Sequence, residues 1–173
     1  SARDGRYVLR IPNEEVQQEF RDLTASYLNV SESNLSAMIN GLRYEERERF
    51  AQSYADMLLS LPSYHDLKDE NSYHVLFLGM CAWLSNEYEI KSNREAGKGR
   101  CDIILKAKKE RLPSYVLEFK YLKEADENGL EASARAAIDQ IKARRYDIEL
   151  TGKVILVGLA HAGKEVRIAW QER

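Results

Sequence analysis

From residue 12 to residue 86 the apolar residues recur every three or four positions, the spacing that lines one face of a helix. Pro12 and Asn13 open the first such stretch, which predicts a helix over 12–28. Glu14 and Glu15 suit its positive end, and Val16, Phe20, Leu23 and Tyr27 form its stripe. Leu35, Met38, Ile39 and Leu42 predict a second, shorter helix with Gly41 near its end. Phe50, Tyr54, Met57, Leu58 and Leu61 predict a third over 44–61, with Pro62 just past it. A fourth is predicted over 69–86, capped by Asp69 or Asp66 and striped by Tyr73, Phe77, Met80 and Leu84. Its Glu70 and His74 are four residues apart and so lie side by side.

Beyond residue 87 the period changes. Residues 88–92 read as a short strand and 93–98 as a turn containing Gly97. Two runs of strand length, 99–105 and 115–120, are separated by a polar segment of hairpin length. A helix is predicted over 127–146, with Ala132, Ala134, Ala136, Ala137 and Ala143 giving it a small-residue surface suited to lying close on a sheet. Residues 154–159 are continuous enough in apolar character for a central strand, and 165–170 alternate as an edge strand does. Helix, three strands, helix, two strands predicts an α/β sandwich with a mixed sheet.

The hairpin carries the most informative charges. Side chains alternate along a strand, so Val116, Glu118 and Lys120 share one face while Leu117 and Phe119 take the other. Asp102 stands near the start of the partner strand, where a hairpin sets its carboxylate beside that of Glu118. Two carboxylates roughly 4 Å apart repel by about 4 kcal/mol at an effective dielectric near 20. A divalent cation removes that cost. The competing reading is a cross-strand salt-bridge cluster of Asp102 and Glu118 with Arg100 and Lys120.

Gly99, Arg100 and Asp102 on one strand, followed by Glu118 and Lys120 on the next, resemble the active-site signature of the PD-(D/E)XK nuclease superfamily. The likeness extends to residues 11–16, 70–74 and 92–95, to Gln140 and Ile141, and to Tyr146; the Pro that names the motif is missing. The whole set resembles a nuclease-like domain that follows an ATPase-like domain in many bacterial proteins. This resemblance implies a restriction-endonuclease-like core over 67–173, with 1–66 as an N-terminal helical extension. It implies Mg²⁺ or Mn²⁺ held by Asp102 and Glu118, with the Phe119 carbonyl and Glu70 as further ligands. Lys120 is then expected to hold the attacking water and stabilise developing negative charge, and Gln140 to position Lys120 or a phosphate oxygen. The expected activity is metal-dependent hydrolysis of phosphodiester bonds, in DNA ahead of RNA. The alternative is a catalytically silent module that keeps the fold for interaction or regulation.

Composition changes this picture in three places. The net charge of −2 argues against a nucleic-acid partner until it is divided: residues 91–173 hold 18 Lys or Arg against 13 Asp or Glu, and residues 1–90 hold 8 against 15. The C-terminal half is thus basic, as a phosphate-binding face requires, although a mixed surface gives the same count. Cys81 and Cys101 are too few for a disulfide scaffold, and no Cys or His pair has zinc spacing; a reduced, cytoplasmic setting is expected. No apolar run reaches the length of a membrane span. The chain opens on Ser1 and Ala2 rather than Met, which agrees with its being part of a longer protein.

Overall fold

The computed structural model describes residues 31–61, 67–96 and 99–173, the side chains of 93–101 excepted. The predicted helix 12–28, Pro62, Gly97 and the side chain of Arg100 lie outside the described residues. Helix α1 spans Glu32–Arg43 and is capped by the Ser31 hydroxyl, which accepts from the Asn34 N–H at 3.2 Å. Helix α2 spans Arg47–Ser60. The two helices touch at Gly41, where an added Cβ would stand 2.7 Å from the backbone nitrogen of Phe50. Helix α3 covers Glu70–Met80, with Asp69 as its cap accepting from the Ser72 N–H at 2.8 Å.

The single helix expected over 69–86 is shorter than that. Its last turn, Cys81–Leu84, is a 3₁₀ helix. The Cys81 N–H is shared among the carbonyls of Phe77, Leu78 and Gly79, which marks where the regular ladder tightens.

Five strands follow: β1 (Tyr88–Ala96), β2 (Gly99–Ala107), β3 (Ser114–Tyr121), β4 (Val154–Ala162) and β5 (Glu165–Glu172). They lie side by side in sequence order. All neighbours are antiparallel except β3 and β4, which run parallel because helix α4 (Glu127–Arg144) carries the chain back between them. The turn expected over 93–98 is strand up to Ala96, because Arg94, Glu95 and Ala96 find partners in Cys101, Arg100 and Gly99. As expected, β4 is internal and β5 an edge.

The sheet separates two cores. On one face, Ile103, Leu105, Tyr115, Leu117, Phe119, Ile155, Val157 and Leu159 meet the apolar stripes of α1, α2 and α3 in one continuous cluster. On the other, Ile104, Val116, Val154 and Leu156 meet Ile138 and Ile141 of α4. The alanines of α4 bring it close: a Cβ at Gly158 of β4 would fall 2.0 Å from the Ala134 carbonyl oxygen. That contact fixes the helix over β3 and β4 and decides which α4 side chains reach the strand ends.

Candidate metal centre

Strand alternation puts Asp102 on the face of Ile104, and Glu118 and Lys120 on the face of Val116, so all three share the α4 side of the sheet. The β2–β3 ladder pairs Ile103, Ile104 and Leu105 with Leu117, Val116 and Tyr115. Just past its end the Phe119 N–H donates to Asp102 Oδ2 at 2.8 Å. A carboxylate therefore serves the backbone donor where regular pairing stops, which fixes Asp102 against β3.

Glu118 is 4% exposed. Its Oε1 accepts from Lys120 Nζ at 3.3 Å and from the Gln140 side-chain amide on α4. Its Oε2 is buried with no hydrogen-bond partner. Burial, and then the Asp102 charge, raise the Glu118 carboxyl to about 7 against the opposing pull of Lys120. A buried carboxylate with one satisfied oxygen and one orphaned oxygen, electrostatically coupled to a second carboxylate, fits a hard divalent cation, which prefers oxygen donors. Of the salt-bridge alternative, the described residues show the Lys120 contact to one Glu118 oxygen, the Arg100 side chain lying outside them.

The structure does not bring Glu70 to this centre. Glu70 is exposed at the first turn of α3, a helix that packs on the opposite face. Among the described residues no three His, Cys, Asp or Glu side chains stand together as an ion-holding group. His74 turns to that opposite face as well: it is 4% exposed and its Nε2 is 2.9 Å from the Ser92 hydroxyl, so it is a satisfied boundary histidine. Tyr146 is buried in the apolar cluster beneath α4.

Sequence reasoning passed over His161, which is fully buried on β4. Its Nδ1 lies 3.3 Å from the Lys120 carbonyl oxygen, which can only accept, so the proton is on Nδ1. Nε2 is then the acceptor for the Tyr54 hydroxyl at 3.0 Å. Burial pushes the imidazole down to about 3, so it is neutral. Stacked on Tyr73 at a ring separation of 4.0 Å, His161 ties the α2–α3 layer to the backbone that carries Lys120. The available signal was a polar residue at the inward position after Ile155, Val157 and Leu159.

No helix among the described residues is long and apolar enough to cross a membrane. No curated protein matches the chain. Among solved structures, that of SSO0001 aligns over 92% of this chain and 77% of its own at 18% identity with a TM-score of 0.31, a likeness too low to carry an argument. The model of the PD-(D/E)XK nuclease superfamily matches residues 68–171, more than half of the chain and a span that takes in Asp102, Glu118, Lys120 and Gln140; the chain belongs to that superfamily.

Proposed function

We propose that this chain is a nuclease dependent on Mg²⁺ or Mn²⁺ that hydrolyses phosphodiester bonds in DNA. The observation that carries the reading is the orphaned Glu118 Oε2, buried on the same sheet face as Asp102. In this reading Asp102, Glu118 and the Phe119 carbonyl hold the ion. When bound, the ion neutralises charge on the phosphate oxygens and activates a water. Gln140 occupies Glu118 Oε1 and so leaves the buried Oε2 as the donor for the ion. The Lys120 side-chain nitrogen, 3.3 Å from Glu118 Oε1, orients the attacking water and stabilises charge as it develops. His161, through the Lys120 carbonyl, is a positioning residue. An ATPase-like domain on the N-terminal side and a cytoplasmic setting belong to the same reading. The first rests on the sequence resemblance, and the second agrees with the free thiol of Cys81.

The absence of a third acidic ligand among the described residues favours the catalytically silent alternative. One experiment separates the two. The chain is incubated with single- and double-stranded DNA and RNA, with Mg²⁺, with Mn²⁺ and with EDTA, and its melting temperature is recorded under each condition. A nuclease cuts only with metal and gains about 2.7 kcal/mol of stability at a hundredfold excess over the dissociation constant. A melting curve indifferent to both ions, with no cleavage, sinks the nuclease reading.

A further inference from the structure

The α4-side face of the sheet continues beyond the carboxylates, toward the opposite end of the β2–β3 hairpin. Lys91 on β1 lies directly opposite Ile104, and Lys106 follows Ile104 by two residues on β2, so both share the face of Asp102 and Glu118. From Asp102 to Lys106 the strand advances four residues, or roughly 13 Å. Past Lys106 the chain enters a shallow cavity of about 340 Å³ lined by Lys106, Lys108, Lys109, Ser114, Thr151 and a single acid, Glu110. The cations therefore begin beside the candidate metal centre and gather at the turn.

These lysines are poorly compensated. Lys91 is largely covered, and its acidic contact, Glu89, is 3.7 Å away and mostly exposed. Lys106 and Lys109 take part in none of the ion pairs among the described residues. Lys108 is held by the Ser85 carbonyl at 2.6 Å, which leaves its charge unneutralised. Lys91 and Lys106 are diagonal neighbours across β1 and β2, about 7–8 Å apart at their Cα atoms, where like charges repel. A chain of anions laid along this face satisfies Lys91, Lys106 and Lys109 together.

We propose that Lys91, Lys106 and the lysines of the β2–β3 turn form the path of the phosphodiester backbone of a bound DNA strand. That path leads from Asp102 and Glu118 to the cavity at the turn. The proposal rests on the nuclease reading for the identity of the anion, and it adds the direction in which the strand leaves the site. The contacts are to phosphates, so they position the strand without reading its sequence.

The test uses the full chain carrying Glu118→Gln, in EDTA, so that the DNA stays intact. Fluorescence anisotropy of a short labelled DNA, single-stranded and duplex in turn, is followed from about 50 to 200 mM KCl. Adding Lys106→Gln and Lys109→Gln is expected to reduce the slope of log affinity against log salt by about 0.7 per lysine for a single strand, or about 0.9 for a duplex. Arginine at the same two positions is expected to restore the slope, which excludes a folding defect as the cause. Lys164→Gln, at a lysine whose ammonium is held by the Leu59 and Leu61 carbonyls on the other side of the sheet, is expected to leave it unchanged. An unaltered slope in the Lys106/Lys109 variant, an equal loss per lysine in the Lys164 control, or no salt-dependent binding by the parent overturns the path. Wild-type cleavage with metal, measured alongside, reports on the nuclease reading separately: cutting with an unaltered slope removes the path alone, whereas a reduced slope without cutting removes the nuclease alone.

Discussion

The two faces of the sheet bury polar groups on different terms. Toward α1, α2 and α3 the buried histidines are completed within the protein, His74 by Ser92 and His161 by Tyr54 and the Lys120 carbonyl. The Tyr88 hydroxyl there lacks a partner, but burial raises its pKa and it carries no charge. Toward α4, the unpartnered atom belongs to a carboxyl whose ionised form burial and Asp102 both oppose. A neutral orphan costs a hydrogen bond, on the order of 1–3 kcal/mol. A carboxylate facing another carboxylate costs more, and the cost disappears when a cation arrives. The first face is finished as a core, and on the proposed reading the second is completed by a metal ion.

The sharpest way to break this contrast is to remove the charges. Glu118→Gln and Asp102→Asn are each expected to reduce metal-dependent cleavage by a factor of a thousand or more, since each removes an ion donor. In the absence of metal both variants should be as stable as the wild type or slightly more so, because a repulsion is lost. Gel assays paired with urea denaturation in EDTA check both halves. A marked loss of stability in either variant would show that the carboxylates serve as structural ion pairs instead.

The faces should also respond to pH with opposite sign. His161 binds a proton near pH 6.5 when unfolded but only near 3 when folded. Between those values the unfolded state holds more protons, so stability falls as pH drops, by an upper limit of several kcal/mol. Glu118 loses its proton near 4.5 when unfolded and about 7 when folded. In that window the folded state holds more protons, so stability falls as pH rises from 4.5 to 7, by at most about 3 kcal/mol. Glu118→Gln or saturating Mg²⁺ should abolish the second trend and leave the first. An NMR titration of wild-type His161 provides the matching check, and an imidazole titrating near 6.5 would contradict its buried, neutral state.

Much of this was legible in the residues, for reasons that differ by element. The Ala-rich stretch of α4 foretold close packing because small side chains leave room for a backbone, and Gly158 completes that contact. Alternation placed Glu118 and Lys120 on one face because a strand has a period of two. Hidden from the sequence was the identity of Gln140's partner: it holds Glu118, where Lys120 or a phosphate oxygen was expected. That depends on how far along β4 the helix sits, which no local pattern records. His161 was missed because its two hydrogen bonds come from residues 107 and 41 positions away.

A matched pair of glycine substitutions isolates the α4 contact. Gly158→Ala sets a methyl against the Ala134 carbonyl, and Gly41→Ala sets one against the Phe50 backbone. Overpacking of this kind costs about 1–3 kcal/mol, so both should lower the melting temperature. Only Gly158→Ala lifts the helix that carries Gln140, and only it should also slow cleavage at a temperature where both variants remain folded. Equal cleavage by the two would show that the Gln140 contact to Glu118 does not matter to the chemistry.

The smallest effect concerns Glu70, where superfamily resemblance and geometry point in different directions. The resemblance makes it an ion ligand. Its position, exposed in the first turn of a helix on the far face of the sheet, matches a charge placed at the positive end of a helix dipole. That role contributes roughly 0.3–1 kcal/mol and needs no metal. Asp69 already accepts the Ser72 N–H, so Glu70 adds charge rather than a capping bond. Glu70→Gln is therefore expected to lower stability by a few tenths of a kcal/mol, to lose even that effect in high salt, and to leave Mg²⁺ affinity and cleavage unchanged. Calorimetric titration with Mg²⁺ beside a cleavage assay distinguishes the two roles. A tenfold weaker Mg²⁺ affinity at unchanged stability would return Glu70 to the ligand set, and would mean that α3 contributes to the site across the sheet edge.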